Sequence, residues 1–147
     1  MELGHLVGLT GTPYTFQVDA RHIRQFAQAI GDANPLYTDE SYAKKTIHGT
    51  CIAPLTFPIA VMPDEGEALQ LDLDYRRMLH GEQQFIYTRM IRPGDILHCT
   101  QQVTDVYEKA GKNGSMEFIV MDTVMHDAEG AHVVTSRTNI IYRPLAT

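Results

Sequence analysis

The chain has 147 residues, of which 44% are hydrophobic and 20% are charged, and its formal net charge is −6. This length is enough for a substantial core, so we predict a single domain over residues 1–147. The acidic balance and the lack of a basic stripe argue against nucleic-acid binding, which depends on clustered Lys and Arg. No signal peptide is apparent, and the most apolar stretch, residues 51–62, is too short to span a membrane. We therefore expect a cytoplasmic protein.

The first third of the chain predicts a strand followed by two helices. Residues 1–13 contain three glycines and predict a loose arm, whereas residues 14–18 alternate enough for a short strand. Asp19 is a good N-cap, because its carboxylate can accept hydrogen bonds from the first turn of a helix. Gly31 ends that helix, since glycine tolerates the positive φ of a helix C-terminus. The apolar positions at helical spacing are Ile23, Phe26, Ala27 and Ile30. Thr38 or Asp39 then caps a second short helix that runs to about residue 45.

Residues 51–62 have no clear polar face and predict a short or kinked buried helix. Pro54 suits the first turn, where a missing N–H costs nothing, and Pro58 would interrupt a longer helix. Residues 63–79 are acidic and then basic, which indicates a surface excursion with a helical turn.

The remainder of the chain predicts antiparallel strands separated by turns rich in glycine. The strands are expected over residues 84–92, 96–107, 116–125 and 133–142, with turns at residues 93–95, 113–114 and 127–130. A strand, then helices, then about four strands indicates an α+β domain whose sheet wraps a buried central helix. Because the second face of such a sheet must be solvated or paired, we also expect at least a dimer.

The sequence contains no recognised pattern for a metal, a cofactor or a nucleophilic serine. Cys51 and Cys99 lack a Cys-x-x-Cys spacing and are interpreted as reduced, buried thiols, although a disulfide between them stays open. The histidines are scattered at no metal-ligand spacing, so we predict no metal site. The chain also has neither a Gly-x-Ser-x-Gly motif nor a phosphate-binding glycine loop.

Five blocks in a fixed order carry a family resemblance: FAQAIGDANPLYTD at 26–39, IAPLTFP at 52–58, LHGEQ at 79–83, RPGD at 92–95 and YEKAGKNG at 107–114. Together they resemble the MaoC-like dehydratase N-terminal domain, which is related to (R)-specific enoyl-CoA hydratases. The resemblance implies a hot-dog fold, in which a curved antiparallel sheet wraps a central helix. It also implies acyl thioesters of CoA or acyl carrier protein as substrates, and two hot-dog units side by side.

In the hydratases that the chain resembles, an Asp-x-Asn-Pro-x-His segment supplies the catalytic Asp and His. Asp32 and Asn34 match that segment here, but Tyr37 stands at the position of the His. A phenol has a reference pKa near 10, so Tyr37 is a poor general base at neutral pH. Asp32 and Tyr37 are the candidate catalytic residues. The alternative interpretation is that Asp32 and Asn34 organise a turn while Tyr37 packs or lines a substrate channel.

Two further segments are candidates for binding substrate. The start of the predicted buried helix has free backbone amides that suit a developing oxyanion, although a plain core helix explains the same residues equally well. His80 lies in a block that resembles the family and is either a site residue or a structural histidine. The candidate substrate-binding residues are Asn34, Cys51, Ile52, Ala53, Thr56, Phe57, His80 and Gly81.

These observations leave three functional hypotheses. The first is a subunit of an (R)-specific enoyl-thioester hydratase or dehydratase, which lacks the catalytic His and helps to form the acyl-thioester channel of a homodimer or of a heterodimer with a catalytic MaoC-like chain. The second is a standalone hydratase or thioesterase that uses Asp32, Tyr37 or His80. The third is a non-enzymatic acyl-CoA binding module. No cofactor, nucleic acid or membrane partner is expected in any of the three.

Overall fold

An antiparallel sheet of five strands forms most of the structure. The computed structural model describes residues 1–64 and 66–145. Within them, the sheet order is β1-β3-β4-β5-β2. The strands are β1 Tyr14–Gln17, β2 Met78–Tyr87, β3 Ile96–Gly111, β4 Gly114–His126 and β5 His132–Tyr142. The α-helices are α1 Ala20–Ala29 and α2 Glu40–Ala43, and short 3-10 turns lie at Gly4–Leu6, Pro35–Tyr37, Phe57–Ala60 and Tyr75–Arg77. The predicted α+β class is confirmed.

Helix α1 forms where the sequence predicts it and for the predicted reasons. The Asp19 carboxylate accepts a 2.9 Å hydrogen bond from the amide of His22, while the His22 ring accepts a 3.3 Å bond from the amide of Asp19. Ile23 and Ala27 are buried on the face of α1 that meets the sheet. Gly31 follows the helix with a φ of 71°, a conformation that side chains with a Cβ rarely adopt.

The inner face of the sheet, which we define as the face that contacts α1, carries two separate apolar clusters. The first cluster lies beneath α1 and the turn Phe57–Ala60. Its buried sheet residues include Leu97, Cys99, Met125 and Val134. The second cluster lies toward the tip of the β3–β4 hairpin. Its buried sheet residues are Val103, Val106, Ile119, Ile140 and Tyr142.

Residues 1–13 are not the loose arm that their glycines predict. Leu3 and Leu6 are buried in the second cluster. The amide of Leu3 donates a 2.9 Å hydrogen bond to the buried carboxylate of Glu117. Gly8 and Leu9 exchange backbone hydrogen bonds with Val103. Two leucines and this backbone pairing hold the arm, and both outweigh the conformational freedom of its glycines.

Residues 51–62 do not form the predicted buried helix either. The segment is buried and irregular from Cys51 to Pro54, and only Phe57–Ala60 makes a single 3-10 turn. Pro58, rather than Pro54, occupies the first turn, where its missing N–H removes no bond. Pro54 and Pro58 have no N–H to donate to helical hydrogen bonds. The segment is therefore buried without forming an α-helix.

The strand predictions hold for β3, β4 and β5, but β2 is displaced. It begins at Met78, six residues before the predicted start at residue 84. A bulge between His80 and Glu82 interrupts its pairing with β5, which obscures the alternation in the sequence. The hairpin between β3 and β4 closes where Asn113-Gly114 predicts, and Gly114 has a φ of 110°. No helix among the described residues is long and apolar enough to cross a membrane.

Candidate functional site

The segment between α1 and α2, residues 31–39, is fixed by short-range hydrogen bonds; we call it the Asp32 loop. Asp32 Oδ1 accepts from the amide of Asn34 at 3.1 Å, and Asn34 Oδ1 accepts from the amide of Leu36 at 3.0 Å. Asn34 thereby caps the 3-10 turn Pro35–Tyr37. Asp32 and Asn34 are both exposed. These bonds are the Asx-type turn that the alternative interpretation of the sequence predicts, and the catalytic and binding roles of both residues stay predictions.

Tyr37 and Asp32 form a side-chain pair at the position of the family's His and Asp. The Tyr37 hydroxyl donates a 3.4 Å hydrogen bond to Asp32 Oδ2, and the Tyr37 ring packs against the first apolar cluster. Burial, reinforced by the negative charge of Asp32, raises the pKa of Tyr37 above its ordinary value. The hydroxyl therefore keeps its proton at neutral pH and is a hydrogen-bond donor to Asp32. It does not take a proton from water, as an imidazole does.

The segment of residues 51–58, which we call the buried segment, uses its amides within the fold. The amide of Ile52 donates to Leu36 O at 3.3 Å, and that of Ala53 donates to Ile91 O at 2.8 Å. The amide of Cys51 donates to Glu40 Oε1 at 3.4 Å. The prediction of free amides, ready for an oxyanion, is therefore wrong for these three residues.

The remaining residues of the buried segment differ in exposure. The amide of Phe57 donates to Pro54 O at 2.9 Å, so it too is occupied. The Phe57 side chain is 1% exposed in the first cluster, whereas Thr56 is exposed at the start of the 3-10 turn. Roles in substrate binding for Cys51, Ile52, Ala53, Thr56 and Phe57 stay predictions that now depend on their side chains alone.

Both cysteines are free and buried, which confirms the prediction of reduced thiols. Burial, with a contribution from Glu40, raises the pKa of the Cys51 thiol to about 11. Burial also raises the pKa of the Cys99 thiol to about 12. Because the thiolate is the reactive form of cysteine, neither residue is suited to nucleophilic catalysis at neutral pH.

His80 and Gly81 lie on β2, away from the Asp32 loop. His80 is exposed, with its Nε2 3.0 Å from Gln83 Oε1, and it pairs across the sheet with Ile140 of the second cluster. Within the part of the chain that the structure describes, no hydrogen bond joins His80 to Asp32 or Tyr37. A Cβ on Gly81 would lie 2.9 Å from the side chain of Ile141 and 3.1 Å from a backbone oxygen of β5. The packing of β2 on β5 thus explains the glycine.

The structure also brings together groups that sequence spacing does not reveal. Arg89 donates two hydrogen bonds to Asp95, at 2.8 and 3.2 Å, and its guanidinium lies 3.6 Å from Asp127. The Asp95 carboxylate also accepts from the amide of Arg92 at 2.8 Å, so the RPGD block closes a turn. Asp95 lies in the same connection as Arg89, whereas Asp127 lies 38 residues away and is placed beside Arg89 only by the fold.

Three histidines, His98, His126 and His132, occupy one row across β3, β4 and β5. The rings of His126 and His132 meet edge to face, with 5.8 Å between their centres. These three histidines lie apart in the sequence, but the fold brings them side by side. Even so, no group of three potential ligands among the described residues is arranged to hold a metal ion.

The sheet order, the helix on its inner face and the Asp32 loop define a hot-dog protein of the hydratase and dehydratase class. Solved structures support this assignment. The chain is 26% identical to the (R)-hydratase PhaJ1 of Pseudomonas aeruginosa in its unliganded form. The match covers 96% of this chain and 88% of that one, with a TM-score of 0.66. A MaoC-like dehydratase is 25% identical with a TM-score of 0.82; the match covers 96% of this chain but only 43% of the neighbour.

A third structure, the HadBC (3R-hydroxyacyl-ACP dehydratase) complex of Mycobacterium tuberculosis, matches over 92% of this chain and 96% of that one, with a TM-score of 0.75 and 23% identity. At that identity the likeness concerns the fold. Residues 5–136 match the family described as FAS1-like, dehydratase domain region. The chain belongs to this family. A relative from Thermobifida fusca, a UPF0336 protein, is 38% identical over 135 residues, which cover 89% of this chain and 86% of the relative.

Proposed function

We propose that the chain is one half of an acyl-thioester hydratase or dehydratase, the half without the catalytic His, and that it completes the acyl-thioester channel of a partner chain that carries the His. The observation that carries this proposal is the Tyr37–Asp32 pair. A protonated phenol donates to Asp32 in place of an imidazole that exchanges protons with water. The chain keeps the shape of the site without its base.

The occupied amides of the buried segment support the same proposal. Hydration of an enoyl thioester develops negative charge on the thioester oxygen, which needs a fixed donor. The amides of Cys51, Ile52 and Ala53 already donate to groups of this chain. The family's His and three amides of the segment are therefore unavailable for the reaction at this position, and we propose that the second chain supplies both the base and the oxyanion donor.

The solved structures are consistent with a paired arrangement. The HadBC neighbour is described as a complex, and the chain spans less than half of the MaoC-like dehydratase that it matches. By analogy, this chain supplies one hot-dog unit and a partner supplies the other. Among the described residues the edge strand β2 pairs only with β5, so a second sheet can pair on its other side. The proposed substrates are acyl thioesters of CoA or acyl carrier protein, and the proposed location is the cytoplasm.

The test is hydration of crotonyl-CoA, followed as the loss of enoyl absorbance. We expect no turnover above background from the purified, folded chain. We expect turnover when it is co-expressed with a MaoC-like chain that has the Asp and the His, and loss of that turnover when the partner's His is replaced. Turnover by the chain alone that Asp32→Asn abolishes would overturn the proposal and establish a standalone hydratase.

A further inference from the structure

A strip of polar side chains crosses the inner face of the sheet between the two apolar clusters. On β5, Ser136 and Thr138 lie between Val134 of the first cluster and Ile140 of the second, and all four alternate residues share one face. Thr123 of β4 lies opposite Ser136, and Gln83 of β2 lies opposite Thr138. We call Gln83, Thr123, Ser136 and Thr138 the polar strip. The candidate residues chosen from the sequence include none of them.

Hydrogen bonds join the members of the strip that lie near β2. Gln83 Nε2 donates to Ser136 Oγ at 2.8 Å, and Thr138 Oγ1 donates to Gln83 Oε1 at 2.9 Å. His80 Nε2 lies 3.0 Å from the same Gln83 oxygen. Ser136 and Thr123 are only 6% and 8% exposed. Polar groups are thus held in fixed positions between the two apolar clusters.

The strip is covered at one end and open at the other. Toward β3, the next residue in the row is Gln101, whose amide oxygen accepts a 3.2 Å bond from the amide of Leu69, in the segment that crosses over it. Toward β2, Gln83 is half-buried, and His80, which lies next to the strip, is exposed. The open end therefore lies at the edge strand, where the proposed second unit would pair.

The strip retains hydrogen-bonding capacity. The Gln83 amide has a second N–H besides the one directed at Ser136, and the Ser136 hydroxyl still has its own proton to donate. A saturated acyl tail that lay over the half-buried Gln83 would take its free N–H out of water without replacing the hydrogen bond, which is unfavourable. A ligand with amide groups would instead bond to them.

We propose that the polar strip binds the amide-bearing pantetheine arm of the acyl thioester, with Gln83 as its principal contact. This inference rests on the proposed function, because it assigns part of the thioester substrate to this chain. CoA and acyl carrier protein present the same arm, whose two amides offer both donors and acceptors. The acyl tail then lies against one of the apolar clusters and does not cross the strip.

The test is a nuclear magnetic resonance titration of the ¹⁵N-labelled full chain, because side-chain amide signals detect even weak binding. Gln83 and its neighbour Gln84 form a matched pair, since successive residues of a strand point to opposite faces. The variants Gln83→Leu and Gln84→Leu assign the two amide signals. The ligands are butyryl-pantetheine and, as the control without amides, S-ethyl thiobutyrate.

We expect butyryl-pantetheine to shift the Gln83 amide saturably and leave Gln84 unmoved, and the control ligand to shift neither. Gln83→Leu should weaken butyryl-pantetheine binding about three- to tenfold, the effect of one neutral hydrogen bond, whereas Gln84→Leu should not change it. Ser136→Ala should weaken binding within the same range, and thermal unfolding of each variant verifies that it is folded.

Other outcomes separate the two proposals. If backbone signals elsewhere shift saturably while Gln83 stays unmoved, the chain binds the thioester but the polar strip does not, and only this inference is overturned. If no signal shifts, this inference is overturned, and the crotonyl-CoA assay with the partner chain decides the proposed function separately. Titrations with butyryl-CoA and with a butyryl acyl carrier protein identify the source of the arm. The source is whichever of the two shifts the Gln83 signal at a lower concentration than butyryl-pantetheine does. If neither of them shifts the Gln83 signal, the inference is overturned.

Discussion

The Asp32 loop and the buried segment are neighbours in the fold but are held in opposite ways. The loop is exposed, and side chains of Asp32 and Asn34 fix it by bonding to amides two residues away. The buried segment is inaccessible from Cys51 to Pro54, and the amides of Ile52 and Ala53 bond to Leu36 and Ile91, which lie far from it in the sequence.

This difference determines which parts of the candidate site can change without loss of the fold. The Asp-Asn turn does not depend on the residue at position 37, so Tyr replaces His there while the loop keeps its shape. The buried segment has no such freedom, because redirecting its amides toward a ligand would break bonds that close the core. The family's His is thus absent through one side chain, whereas the amides of Cys51, Ile52 and Ala53 are occupied through backbone packing.

The largest effect should come from the buried segment. Phe57 is 1% exposed and meets Phe26 and Phe16 edge to face, with ring centres 5.5 and 6.4 Å apart. We expect Phe57→Ala to lower the free energy of unfolding by about 3–5 kcal/mol, because it leaves a cavity in the first cluster. Leu55, in the same segment but 55% exposed, is the matched control, and Leu55→Ala should change it by less than about 0.5 kcal/mol. Urea denaturation measures both, and similar losses would contradict the distinction.

A smaller effect on stability should show that Gly81, like the buried segment, is constrained by packing. Gly81→Ala places a methyl group 2.9 Å from Ile141, and we expect it to destabilise the fold by about 1–3 kcal/mol. The control is Glu82→Ala at the adjacent exposed position, which should stay within about 0.5 kcal/mol. A Gly81→Ala protein with unchanged stability but weaker thioester binding would instead make Gly81 a substrate contact.

The free energy of unfolding at alkaline pH should depend on Cys51 of the buried segment and not on the exposed loop. Its pKa is about 11 in the folded protein and near 9 as an ordinary thiol, so the unfolded chain loses this proton first. The contribution of Cys51 to stability is therefore complete below pH 9 and is lost as pH rises toward 11, by no more than about 1.4 kcal/mol per pH unit. Cys51→Ala should flatten this part of the stability profile, as measured by urea denaturation at each pH. Asn34→Ala, in the exposed loop, removes no titratable group and should leave the slope as it is in the wild type.

The sequence predicts those parts of the fold that depend on local chemistry. Asp19, Gly31 and the Asn113-Gly114 turn act on residues within a few positions, and all three perform their predicted roles. The resemblance to MaoC-like dehydratases adds the long-range order of these elements, and the FAS1-like dehydratase family and the hot-dog neighbours confirm it.

The wrong predictions concern residues whose partners are distant in the chain. Leu3 and Leu6 are buried because the sheet around Val103 accepts them, which the glycine-rich arm does not show. The amides of the buried segment are occupied because Leu36 and Ile91 fold next to them. The polar strip arises only when alternate residues of β2, β4 and β5 are set in register.

The smallest effect is expected for Tyr37→His, and it tests the comparison most directly. The substitution restores the family's Asp and His in the exposed loop, at a stability cost of no more than about 1 kcal/mol, because only part of the Tyr37 ring packs on the first cluster. If the oxyanion donor is also missing, the variant should hydrate crotonyl-CoA no faster than background, despite a base positioned beside Asp32. Turnover that appears in Tyr37→His and disappears in the double variant with Asp32→Asn would contradict this, since it would show that the His alone was missing. The occupied amides of Ile52 and Ala53 favour the inactive outcome: a base without a place for the developing negative charge supplies only half of the catalysis.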